Sequence, residues 1–114
     1  MNHLQHYLTK LAEEGSEVVQ IALKTQQFGP FEVMPGQPLN NFERCHQEID
    51  DLMAMVEELN ERFGFGYAPN RKRIEAKKLK VRKYLCFSVA LGMVEDGGIT
   101  GVPTHPMAQS EGKP

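Results

Sequence analysis

The chain has 114 residues, enough for one domain with a modest core, and its 40% hydrophobic and 25% charged content is that of an ordinary soluble protein. No apolar run approaches the roughly 18–20 residues of a membrane-spanning helix, the segment from Met1 to His6 lacks the basic and apolar stretches of a signal peptide, and Cys45 and Cys86 make neither a zinc spacing nor a disulfide framework. A formal charge of −2 conceals a split: residues 1–66 carry 11 acids and 4 bases, while residues 71–83 carry 8 bases and a single acid, Glu75.

Apolar spacing of three and four residues predicts a first helix from about Asn2 to Gln27, with a seam of Leu4, Leu8, Leu11, Val18 and Ala22 and with Gly15 in line. Glycine there costs roughly 1 kcal/mol against alanine, which points to a close neighbouring helix. A proline-containing loop of about eleven residues, Gly29 to Leu39, follows; connections of that length often carry function. The second helix starts near Asn40 or Asn41, either a suitable N-cap, and ends at Phe63 before Gly64. Its expected seam is Cys45, Ile49, Leu52, Val56, Leu59 and Phe63. The third helix runs from about Pro69, a good first-turn residue, to Gly92, with Ile74, Val81, Leu85, Ser88 and Gly92 as its seam.

The expected fold is all-α: a helical bundle of three long helices plus a short C-terminal turn at Met93–Asp96, completed by oligomerisation. Residues 1–96 form the domain, and 97–114 read as an extended or disordered tail. Val19, Leu23, Met53, Phe87 and Leu91 lie away from the seams, so self-association as a dimer or tetramer is expected. The two cysteines, in apolar helical surroundings, read as small buried hydrophobes of a cytoplasmic protein.

Chemistry concentrates in carboxylates. Glu14 with Glu17, and Glu48 with Asp51, stand at i and i+3, so each pair shares one helix face. Val18 lies four residues after Glu14, and Leu52 lies four after Glu48, so both pairs flank their seams in the same way. Antiparallel packing of the two helices then brings four acids together. Lys10 and Arg44 are within helical reach of Glu14 and Glu48, both in the less favourable basic-first order. Clustered carboxylates either take up protons or need a cation, and an oxygen-only set suits Mg²⁺ or Mn²⁺. Glu43-x-x-His46 has a di-iron spacing but no second copy, and it lies on the opposite face from Glu48 and Asp51.

Glu13-Glu14-x-x-Glu17 followed by Glu48-x-x-Asp51, in the settings Leu11–Gln20 and Glu48–Leu52, resembles the motif of the all-α NTP pyrophosphohydrolase superfamily. MazG-like proteins, the dimeric dUTPases and phosphoribosyl-ATP pyrophosphohydrolase are its members. The resemblance covers about residues 4–85, with thirty residues between Glu17 and Glu48, a long interval that the proline loop accounts for. It implies a Mg²⁺-dependent hydrolase that converts an NTP or dNTP to the monophosphate and pyrophosphate, for nucleotide house-cleaning or pool control. By the same resemblance Glu14, Glu17, Glu48 and Asp51 are metal ligands, and Glu13 is the motif's first acid, assisting a further ion or orienting water.

On the third helix Lys77, Lys80 and Tyr84 fall on one flank, where the lysines can grip phosphates and the tyrosine can line a nucleotide pocket. Lys80, Arg82 and Tyr84 resemble the family's post-motif cluster, with Val81 where an asparagine is expected. Lys24, Phe28, Phe31 and Asn41, at or near the proline loop, are placed for base selection; Lys24 and Asn41 are taken as substrate-binding candidates. The alternative is a non-enzymatic helical protein that binds nucleic acid, or acts as a scaffold, through the basic stretch 71–83. A net negative chain without aromatics among those bases argues against nucleic acid.

Overall fold

Asparagine starts each of three helices in the computed structural model, which describes residues 1–97. Asn2, Asn40 and Asn70 are the N-caps of α1 (His3–Phe28), α2 (Asn41–Phe63) and α3 (Arg71–Ala90), each side chain accepting the N–H three residues on. In α1 and α2 the partner side chain also returns a hydrogen bond to the cap: Gln5 accepts from Asn2 N–H at 2.8 Å, and Glu43 from Asn40 N–H at 3.0 Å. The fold is therefore all-α with three helices, and the described residues contain no strand. No helix among them is long and apolar enough to cross a membrane. The expected tail, beyond Gly97, lies outside the described residues.

Two compact units divide the chain, Met1–Tyr67 and the part from Ala68 onward. The first is an antiparallel hairpin of α1 and α2. At its open end Tyr7 meets Phe63 edge-on at 5.4 Å between ring centres, and Arg62 stacks over the Tyr7 ring. α2 ends where Gly64 turns left-handed at φ 65°, and Phe65 N–H closes back on the Leu59 carbonyl. Asn60 then clamps Tyr67 through both of that residue's backbone groups.

The hairpin seam differs from the expected one. Ile21 and Leu59 are its buried apolar centre, whereas Leu4, Leu8 and Ile49 are 41%, 42% and 47% exposed. On α1 the half-buried line runs through Tyr7, Leu11, Glu14, Val18 and Thr25, and on α2 through Cys45, Glu48, Leu52, Met55, Val56 and Phe63. The apolar stripe of α1 is wider than one partner helix can cover, and α2 takes the edge nearest the acids. Glu14 and Glu48 thus stand within the inter-helix line itself.

The proline loop folds back on the start of α2. Asn41 N–H donates to the Glu32 carbonyl and Phe42 N–H to the Pro30 carbonyl, both at 3.1 Å. Phe31 packs edge-on against Phe42.

In the second unit Pro69 precedes the cap instead of opening the helix, because the Asn70 side chain captures Arg73 N–H at 3.0 Å. α3 stops at Ala90, and Gly92, at φ 76°, turns the backbone so that Met93 N–H reaches the Ser88 carbonyl. The expected turn at Met93–Asp96 is a bend that completes this closure. Ile74, Ser88 and Val89 are half-buried, and Val81 and Leu85 are exposed. Cys45 is half-buried, but Cys86 is exposed, contrary to its expected burial, because it belongs to the stretch 75–87 of α3 that is exposed on every face.

Candidate functional site

Glu14, Glu48 and Asp51 converge. One carboxylate oxygen from each lies within 4.8 Å of the others, with Glu14 and Glu48 half-buried and Asp51 exposed. Their meeting follows from the hairpin: equal offsets from the two seams place both acid flanks on one side when the helices run antiparallel. Glu17 stands next to this trio. It lines a small cleft with Gln20, Ile21, Lys24, Arg44 and Glu48, and its charge acts on Glu48.

Glu48 records the crowding. Its pKa is raised above the ordinary 4.5, first by desolvation, then by the negative charges of Asp51, Glu17 and Glu14, and by a hydrogen bond shared with Asp51.

The chain's own cations are directed elsewhere. Lys10 pairs with Glu13 at 3.0 Å, leaving Glu14 unneutralised. The Arg44 guanidinium donates to Asn41 Oδ1 at 3.4 Å. Among the described residues no ion pair involves Glu14, Glu17, Glu48 or Asp51. An oxygen-only set of half-buried and exposed carboxylates, free of lysine and arginine partners, fits a hard divalent ion such as Mg²⁺ by donor chemistry. Glu13, exposed and paired with Lys10, stands apart from the trio.

Asn41 is 1% exposed and holds the loop. Its amide donates to the Gly29 carbonyl and to Glu32 Oε1, both at 2.9 Å, so both of its N–H groups are engaged. Lys24, by contrast, is exposed and reaches the cleft beside Glu17 and Glu48. Arg44, at the same cleft, was not among the sequence-derived site residues, although its place four residues before Glu48 was the available signal.

On α3, Lys77 and Lys80 share a surface hollow with Arg73 and Ala76, and Tyr84 is exposed and tilted against Phe87. Glu75 accepts from Arg71 and Lys78, which hold its carboxyl below the usual value. The other six bases of 71–83 make no ion pair among the described residues. Comparison of the chain with protein-family models, with curated proteins and with solved structures found no match.

Proposed function

We propose that the chain is a Mg²⁺-dependent nucleoside triphosphate pyrophosphohydrolase, releasing pyrophosphate from an NTP or dNTP. The observation that supports this most is the meeting of Glu14, Glu48 and Asp51 within 4.8 Å, with no lysine or arginine paired to them among the described residues. In this reading these three and Glu17 hold the metal, with Mn²⁺ as the alternative ion. When bound, the ion neutralises phosphate charge and activates water for attack on phosphorus. The chain's own residues supply the rest. Glu48 must give up its proton before it can ligate, so occupancy rises with pH. Lys24 and Arg44 offer positive charge at the cleft that Glu17 and Glu48 line. The roles of Lys77 and Lys80 on phosphate, and of Tyr84 at the base, rest on residue chemistry alone.

Pyrophosphate release from a panel of NTPs and dNTPs, with Mg²⁺ or with EDTA, tests this reading. Asp51→Ala and Glu48→Ala are each expected to lower turnover by roughly 100-fold or more, because changes even in groups behind a metal ligand cost 10–100-fold. Both variants should keep the helical circular dichroism of the parent. Full activity in either overturns the assignment.

A second reading draws on α3, whose bases are distributed all round the helix. It is a non-enzymatic nucleic-acid contact. It requires a mobility shift that weakens steeply with salt; the absence of any shift, together with pyrophosphate release, dismisses it.

A further inference from the structure

Arg44 is a half-buried base at the edge of the acid cluster, and among the described residues it makes no ion pair. Glu48 stands four residues on, within helical reach, and both line the cleft that Glu17 and Lys24 share. The guanidinium nonetheless turns back along the helix, to Asn41 Oδ1 at 3.4 Å, the long end of a hydrogen bond. Arginine carries five N–H donors in a rigid fork. This one contact leaves most of the fork unused, at a cleft lined by two of the proposed metal ligands.

The orientation of Asn41 is forced. A side-chain amide has one end that donates and one that accepts. The Gly29 carbonyl and Glu32 Oε1, each 2.9 Å away, are both acceptors, so the amide nitrogen faces them and Oδ1 is left for Arg44. The loop is itself fixed on α2, where the Asn41 and Phe42 N–H groups donate to the Glu32 and Pro30 carbonyls and Phe31 packs on Phe42. At 1% exposure, and with both side-chain N–H groups engaged, Asn41 has no donor to offer a ligand.

We propose that Asn41 is a positioning residue: it takes its own orientation from the loop and sets the Arg44 guanidinium at the cleft, where Arg44 binds a phosphate of the triphosphate. The proposal rests on the pyrophosphohydrolase reading, and it gives the loop 29–39 a role there as the backing that fixes Asn41. A guanidinium meets two phosphate oxygens at once through parallel N–H groups. It does so most tightly when its direction is set before the ligand arrives, because a side chain free among its rotamers has to be ordered on binding. Without Asn41 Oδ1, the charged acceptors at the cleft are Glu17 and Glu48. A pair with either would take the fork from phosphate and a carboxylate from the metal.

A double-mutant cycle on kcat/KM tests it, in Mg²⁺ and with the NTP or dNTP that the wild type hydrolyses fastest. Arg44→Ala is expected to lower kcat/KM about tenfold or more, through KM with kcat nearly kept. Asn41→Ala should lower it about fivefold in the wild type but less than about twofold in Arg44→Ala, since its effect passes through Arg44. A purely structural role for Asn41 gives the same factor in both backgrounds. Asn41→Ser takes the place of Asn41→Ala in the cycle if the alanine variant loses its helical circular dichroism. Equal factors in the two backgrounds overturn the proposal, as does an unchanged kcat/KM in Arg44→Ala, while pyrophosphate release by the wild type leaves the pyrophosphohydrolase reading standing. A wild type that releases no pyrophosphate from any NTP or dNTP overturns that reading and the proposal with it.

Discussion

Replacing Glu48 with glutamine removes one negative charge from a cluster whose oxygens lie within 4.8 Å of one another, while the amide keeps the shape of the protonated acid. At that separation each like-charge pair costs about 0.9 kcal/mol in a medium as polar as water, and screening by salt is slight inside a Debye length of about 8–10 Å. Glu48 has two partners in the trio, so Glu48→Gln should stabilise the metal-free hairpin by about 1–2 kcal/mol at pH 7.5, a melting shift of roughly 4–10 °C. The sign with pH follows from the raised pKa of Glu48. Its ordinary value is 4.5, so below that pH the carboxyl is protonated in folded and unfolded chains alike, and the variant has no advantage. As pH rises through the higher folded value, the wild type loses stability and the variant does not. Mg²⁺ should close most of this gap. At 10 mM, with a dissociation constant of about 1 mM, binding adds roughly 1.4 kcal/mol to the wild type and much less to the variant. Thermal melts at pH 4.0 and 7.5, in EDTA and in Mg²⁺, give all four numbers. A destabilised variant at pH 7.5 in EDTA, or equal gains from Mg²⁺ in both proteins, refutes this reasoning.

Two further outcomes are expected. Asn41→Ala strips Gly29 and Glu32 of their amide donor at a 1% exposed position and should cost about 1–3 kcal/mol by denaturant unfolding. An unchanged midpoint would show that the loop does not depend on it. Lys77→Ala combined with Lys80→Ala should raise KM for the triphosphate several-fold with kcat nearly kept, as expected for charges that bind without acting on the reacting bond; unaltered steady-state kinetics would remove both lysines from the substrate site.

Local chemistry made much of the fold legible. Asn40 and Asn41 looked equivalent as caps, yet Glu43 stands three residues after Asn40, and that reciprocal pair decided the matter. The i, i+3 acids were readable because both pairs hold the same offset from their seams, and three of the four came together. Periodicity finds an apolar stripe, but it does not say which edge of a wide stripe meets the neighbour. For that reason Leu4, Leu8 and Ile49 were expected inside and lie exposed, while Ile21 took the centre. The role of Asn41 was hidden for a different reason. Its partners, Gly29 and Glu32, belong to a loop whose path depends on hydrogen bonds between residues nine and twelve apart, and no repeat encodes that path.

The two flanks of the hairpin make opposite use of the same helical arithmetic. Glu14 and Glu48 occupy half-buried positions in the inter-helix line where leucine would bury more apolar surface, each at roughly 1 kcal/mol of forgone burial. Packing alone does not account for carboxylates there, and Lys10 and Arg44, the nearest bases, turn to Glu13 and Asn41. On the other flank Leu4, Leu8, Val19 and Leu23 stay in water although the core could use them. Half-buried acids and exposed apolar side chains both weaken an isolated hairpin. On the acid side the cost is testable by Glu48→Gln, whose stability in EDTA reads the repulsion among Glu14, Glu48 and Asp51 directly.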